Sequence, residues 1–129
     1  MNFLDAVMDY MDNHIELGKN GTQDVFVTMP HLGGENSVAI RLTPSAPTDY
    51  IAGFIYEVGF QVLVKNKNQI KAITVATDIF TDLHHSKEQI AGEGFRCISV
   101  VCTTLPNWVE TTEDGYHIYT ALFKAEIEF

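Results

Sequence analysis

Between Tyr50 and Leu83 the sequence predicts a strand that leads directly into an amphipathic helix, and this unit limits the possible folds. In IAGFIYEVGFQVLVKNKN apolar residues alternate with polar ones, so one face of an extended strand becomes apolar. The next segment, QIKAITVATDIFTDL, repeats apolar residues every three or four positions, which is typical of a helix with one buried side. A strand and a helix that each have one apolar side bury those sides against one another.

The rest of the sequence predicts another helix and further strands around this unit. Residues 2–17 predict an N-terminal helix, and 24–29 with 37–42 predict two short strands joined as a hairpin. After the second helix we expect a strand in FRCISVVCTTL that Pro106 and Asn107 interrupt, then two strands about an Asp-Gly turn. This order predicts an α+β fold, a mainly antiparallel sheet with two helices packed on one face. The predicted core contains Phe60, Val62, Ile73, Ile79, Phe80 and Phe123.

Length and charge limit the class of protein. With 129 residues, 46% of them hydrophobic, the chain predicts a single domain over residues 1–129. A formal charge of −9 disfavours binding to nucleic acid, which depends on clustered Lys and Arg. The longest apolar runs are too short to span a bilayer, and the acidic, amphipathic start differs from a secretory signal. We therefore expect a cytoplasmic protein that has no contact with membranes.

The cysteines and histidines do not predict a metal site. Cys97 and Cys102 are five residues apart on one predicted strand, which places them on opposite faces and too far apart for a disulfide. His84 and Glu88 have a spacing that zinc ligands can use, but no further ligands complete a set. A solvated helix end is the better interpretation. The sequence predicts no metal and no cofactor.

Carboxylates near the predicted hairpin turn are the remaining candidate for chemistry. Glu110, Glu113 and Asp114 cluster close to Trp108, and paired carboxylates can act as general acid and base. A solvated hairpin tip is the better interpretation of these acids, and Trp108 is then a core or interface anchor. Since no nucleophile lies in a recognisable motif, we predict no catalytic residues and no enzymatic activity.

Three segments, FLDAVMDYMDNHI, GFQVLVKNKNQIKAITVATDIFTDLHH and YHIYTALFKAEIEF, together cover roughly half of the chain. In these segments the chain resembles the minor capsid and tail terminator (tail completion) proteins of long-tailed bacteriophages. The resemblance implies a structural protein that forms a homo-hexameric ring at the head-proximal end of the tail tube, ends tail polymerisation and joins tail to head. It implies contacts with the tail tube protein and a head-completion protein. It also implies assembly in the host cytoplasm and a final location in the virion tail.

In such a ring we expect an acidic inner wall. Six copies at −9 each carry a formal charge of about −54, which repels DNA phosphates and lets the duplex pass without specific binding. The alternative is a small acidic inhibitor or immunity-type protein that binds a basic partner, which a concentrated acidic patch would favour. The acids are dispersed, which favours the ring. The candidate lumen or interface residues are Asp78, Asp82, Glu88, Glu93, Glu110, Glu113 and Trp108.

Overall fold

The computed structural model describes residues 3–14, 26–28, 36–43, 55–84, 90–92 and 94–128. Along the chain these residues form helix α1 (Phe3–His14), strands β1 (Phe26–Thr28), β2 (Ser37–Leu42) and β3 (Ile55–Asn66), helix α2 (Gln69–Leu83), and strands β4 (Ala91–Gly92), β5 (Phe95–Thr111) and β6 (His117–Glu128). The described strands make one sheet in the order β1-β2-β3-β6-β5-β4. All neighbours are antiparallel except β1 and β2. The prediction of an α+β fold with a mainly antiparallel sheet is confirmed.

The centre of the sheet is the pair β3 and β6. Phe60, Val62 and Val64 on β3 are buried, while Gln61 and Lys65 on the other face are partly exposed. Alternate residues of β6, from Tyr119 to Ile127, are buried on that same side. The period-two pattern therefore predicted the facing of the central strands correctly where their side chains are described.

The core lies between this face of the sheet and the two helices. The Phe60 and Phe123 rings stack with centroids 5.3 Å apart, and Phe3 of α1 meets Phe60 edge-on at 5.5 Å. Val7 and Met11 of α1 are buried in the same cluster, which also includes Ile79 of α2. The predicted core positions of Phe60, Val62, Ile79 and Phe123 are confirmed.

Helix α2 has the predicted bounds, but its buried side differs from the predicted one. Its buried residues are Ala72, Val75, Ala76, Ile79 and Leu83. Ile73 is 44% exposed and Phe80 is half-buried, so the prediction that both belong to the core is wrong for Ile73 and too strong for Phe80. Apolar residues cover more of α2 than the sheet can bury, and the buried side combines the small Ala72 and Ala76 with three larger side chains. Neither described helix has the length and apolar character to span a membrane.

Asn68 caps the N-terminus of α2. Its backbone is extended, with φ −96° and ψ 118°, and its side chain accepts a hydrogen bond from the Lys71 N–H at 3.1 Å. We expect Asn68→Ala to lower the free energy of unfolding by about 1 kcal/mol, because that N–H loses its acceptor. Asn68→Asp keeps the acceptor and adds a charge that the helix dipole favours, so it should be at least as stable as the wild type. Urea unfolding of both variants checks this, and equal losses would contradict the cap.

The two short N-terminal strands pair in the direction opposite to the predicted one. Phe26–Thr28 pairs with 37–39 in parallel, so the hairpin prediction is wrong although the pairing itself is present. A three-residue strand spans only about 10 Å, and the eight residues between Thr28 and Ser37 can extend to about 26 Å. This length is sufficient for the chain to return and begin the second strand in the parallel direction. The two glycines between the strands, Gly33 and Gly34, do not distinguish a parallel from an antiparallel pair.

Strand β5 continues through Pro106, where an interruption was predicted. From Cys97↔Ile127 to Thr111↔His117 it advances 14 residues while β6 advances 10, so β5 contains four extra residues. The register shifts that absorb them include one between Thr104 and Asn107, on either side of Pro106. A proline that lacks an N–H is tolerated where a ladder is irregular.

The same irregularity corrects the predicted positions of the cysteines. Cys97 lies opposite Ile127 and Cys102 opposite Phe123, both on the helix-covered side of β6. The register shift after Cys97 inserts one residue, so a five-residue spacing returns to the same face. Cys97 is buried, Cys102 is half-buried against the core, and both thiols are free. The prediction of opposite faces is wrong.

Candidate assembly surfaces

The sheet face that points away from the helices carries polar and charged side chains that pair with one another, among apolar ones such as Leu63 and Leu122. Lys124 Nζ lies 2.8 Å from Glu57 Oε1 across β3 and β6. Gln61 accepts a hydrogen bond from Arg41 Nε at 2.7 Å and donates one to Thr120 Oγ1 at 2.8 Å. Acids and bases alternate on this face, so it is not a wall of a single charge.

The turn between β5 and β6 combines acidic and basic side chains. Gly115 has a φ of +87°, and the Thr112 N–H donates to the Tyr116 carbonyl at 2.8 Å. The predicted Asp-Gly hairpin is thus confirmed, with Glu113 and Asp114 exposed at its tip. Lys65 and Lys67 place their Nζ atoms 4.7 and 5.8 Å from the centre of the Tyr116 ring. The tip acids therefore have two lysines close by.

Trp108 is exposed and held by polar contacts. It is 55% exposed and lies opposite Tyr119, and its Nε1–H donates to Thr111 Oγ1 at 3.4 Å. The same hydroxyl lies 3.1 Å from His117 Nδ1. Its exposure excludes the predicted role of a core anchor, and the role of an interface anchor stays a prediction.

Asp78 and Asp82 lie at a different place from the hairpin acids. Both are half-buried on α2, and Tyr10 of α1 donates a hydrogen bond to the Asp82 carbonyl at 3.3 Å. Burial raises the pKa of Tyr10 above its ordinary 10.0, and the charge of Asp82 raises it further. These two carboxylates therefore belong to the helix layer, on the side of α2 that meets α1.

The candidate acids consequently form two groups. Asn66 pairs with His117, so the hairpin tip lies near the start of α2, where Glu110 and Glu113 are exposed. Asp82 follows Gln69 by 13 residues, about 20 Å along the helix axis. Glu88 and Glu93 lie outside the described residues. The described candidate acids are thus divided between two places. An acidic patch concentrated in one loop, which would favour the inhibitor alternative, is not what they form.

His84 has a structural role at the end of α2. Its Nδ1 accepts a hydrogen bond from the Cys102 N–H at 2.9 Å, and its ring stacks on Phe80 with centroids 5.3 Å apart. This contact connects the helix to β5, a role that sequence spacing could not reveal. Within the described parts of the chain, no cluster of three or more His, Cys, Asp and Glu side chains could hold a metal ion.

The buried thiol of Cys97 should make stability depend on alkaline pH. Burial raises the pKa of Cys97 from 9.0 to about 11, so an unfolded chain releases this proton at lower pH than the folded one. The contribution is complete below pH 9.0 and is lost as the pH rises through about 11. Between pH 8 and 10 we expect the wild type to lose about 1 kcal/mol more than Cys97→Ala in urea unfolding. Identical pH slopes for the two proteins would contradict the burial of this thiol.

Comparisons with known proteins extend the resemblance seen in the sequence. A family model described as "Bacteriophage tail terminator protein" matches residues 10–129. No curated protein matches. One of the matching solved structures is a chain from the virion of a native gene transfer agent particle, with a TM-score of 0.61 and 14% identity over 81% of this chain and 78% of that one. At that identity the structural match shows a shared fold.

The family match covers nearly the whole described fold. Its range begins at Tyr10 within α1 and includes every described strand and α2. It also includes the turn between β5 and β6, most of which lies outside the segments that carried the resemblance. On this evidence the chain belongs to the bacteriophage tail terminator protein family.

Proposed function

We propose that this chain forms a homo-hexameric ring at the head-proximal end of the tail tube, where it ends tail polymerisation and joins the tail to the head. The observation that carries the proposal is the family match over residues 10–129. Membership makes the chain a structural protein of the phage tail and a component of the virion. The ring, its six copies and its position are the proposed part.

The proposed partners are copies of this chain, the tail tube protein on one side and a head-completion protein on the other. A closed ring uses head-to-tail contacts, so each subunit presents two different surfaces that fit one another. DNA passes through the ring without specific binding, which agrees with the formal charge of −9 per chain. Assembly takes place in the host cytoplasm.

The inner wall of the proposed ring is acidic. The described candidate acids form two groups that can be tested separately. One group is Asp78 with Asp82, and the other is Glu110 with Glu113. Double charge reversal to Lys in the set that lines the channel should slow DNA passage, because cations hold phosphates. The same reversal in the other set is the matched control. DNA ejection at the wild-type rate from particles that carry either reversal would contradict an acidic wall at these residues.

We also propose that the chain acts without catalysis, metal or cofactor. In support, His84 accepts the Cys102 N–H, and the acids near Trp108 are exposed at a hairpin rather than gathered in a cleft. Elemental analysis of the purified protein should find no stoichiometric metal. Stoichiometric zinc, with stability lost on chelation, would contradict this part of the proposal.

Depletion of the chain during infection tests the proposed function. Without it, tail tubes should reach uncontrolled lengths and remain unattached to heads, because nothing stops the addition of tube subunits. Expression of the wild-type chain from a plasmid should restore tails of one length that carry heads. Depleted infections that yield joined tails of normal length would contradict the function.

A further inference from the structure

The outer edge of β5 is uncharged over most of its length and exposes three large apolar side chains, Leu105, Trp108 and Val109. No residue from Cys97 to Val109 carries a charge, and Leu105, at 64% exposed, lies close to the exposed Trp108 and Val109. Among the described residues, strand pairing on this edge is limited to Phe95 and Arg96, opposite β4. Edge strands of soluble proteins usually carry charges that prevent association, and this segment carries none.

One side of α2 continues this apolar surface. At about 100° per residue, Ile73, Phe80 and His84 lie on the same side of the helix, and the exposed Ile70 lies close to it. The bond from the Cys102 N–H to His84 Nδ1 shows that this side faces β5. Ile70 and Ile73 therefore lie on the same side of the molecule as Leu105, Trp108 and Val109. These five residues are called the β5–α2 surface.

The charge of the chain favours this surface for a contact between copies. Two copies that each carry −9 repel one another overall, and a contact through uncharged side chains adds no further repulsion between acids. All five side chains of the β5–α2 surface are uncharged and large, as expected for the centre of an interface. A basic partner would instead be drawn to the acids of the hairpin tip or the helix layer.

We propose that the β5–α2 surface is one of the two contact surfaces between neighbouring copies of this chain, which rests on the proposed ring. Pro106 and the register shifts on either side of it interrupt the edge as a template for a further strand. The contact is therefore made by side chains that pack, with Trp108 as its anchor, rather than by an added strand.

Trp108 is the single tryptophan of the chain, so its fluorescence reports on this surface directly. Native mass and acrylamide quenching are measured together across protein concentration. We expect quenching of Trp108 to fall at least threefold as oligomers form. Oligomers with unchanged quenching would overturn the proposed surface and leave the ring intact. A chain that stays monomeric up to about millimolar concentration would also overturn it, while the tail-length experiment would still decide the proposed function.

Single lysine substitutions test whether side chains of the β5–α2 surface lie in the contact between copies. Leu105→Lys and Ile73→Lys place a charge in the contact and should raise the concentration for half-assembly at least tenfold. Leu42→Lys is the matched control, because Leu42 is exposed on β2, towards the other edge of the sheet, and should assemble as the wild type does. Far-UV circular dichroism and thermal melting confirm that each variant is folded. Wild-type assembly of both Leu105→Lys and Ile73→Lys would overturn the proposal.

Discussion

Phe60→Ala should lower the free energy of unfolding by about 3–5 kcal/mol, a large share of the 5–15 kcal/mol typical of a domain. The Phe60 ring is fully buried at the centre of β3. It stacks on Phe123 at 5.3 Å and meets Phe3 of α1 at 5.5 Å, so its loss leaves a cavity between sheet and helix. Urea unfolding of dilute protein at neutral pH measures the effect.

Phe80→Ala is the matched control for this substitution. Phe80 is half-buried on the side of α2 that faces His84, so the same chemical change removes less packing. We expect a loss clearly smaller than that of Phe60→Ala, on the order of 1–2 kcal/mol. Equal losses of stability in the two variants would contradict the observation that Phe60 is buried and Phe80 only half-buried.

Ile79→Ala and Ile73→Ala compare the two sides of α2 with one chemical change. Ile79 is almost completely buried against the sheet, so its truncation should cost about 2–5 kcal/mol. Ile73, six residues earlier, is exposed on the β5–α2 surface and should cost less than about 1 kcal/mol in the monomer. Thermal and urea unfolding at concentrations where single chains unfold measure both.

The reverse order of these two losses would contradict the observed facing of the helix. It would restore the sequence prediction that Ile73 packs in the core. A loss for Ile73→Ala that appears only at concentrations where oligomers form would agree with the proposed contact between copies.

The sequence determined the β3–α2 unit because local signals and tertiary packing agree there. Alternation along β3 defines which face of the strand is buried. The Asn68 cap, two residues after the strand ends, defines where α2 begins. The pattern could not choose which part of the broad apolar side of α2 is buried. That choice depends on how the helix packs on the sheet in the folded state, which buries Ala72 and Ala76 and leaves Ile70 and Ile73 exposed.

The errors along the other strands have a common cause. The direction of β1 and the register shifts of β5 depend on partner strands that are distant in sequence. Counting by two along a strand assumes a regular ladder, and the shift after Cys97 breaks that assumption. For this reason both cysteines face the core, where opposite faces were predicted.

The candidate acids were chosen because they lie on polar segments near predicted helix ends and hairpin tips, and such positions do not show which acids lie together in space. Asp78 and Asp82 lie in the helix layer near Tyr10, whereas Glu110 and Glu113 lie with the hairpin. The lysines beside Tyr116 come from the end of β3, a proximity that only the β3–β6 pairing creates. The sequence predicts Trp108 as an anchor. The structure shows that it is exposed on β5 together with Leu105 and Val109, so the three side chains form an apolar surface.

Electron cryomicroscopy of the junction between head and tail in intact particles can show the proposed ring itself. We expect six copies of this fold in a ring at the head-proximal end of the tail tube, with Trp108 buried between neighbours. A junction that lacks this chain, or that contains it as a two-fold dimer, would contradict both the proposed function and the proposed contact.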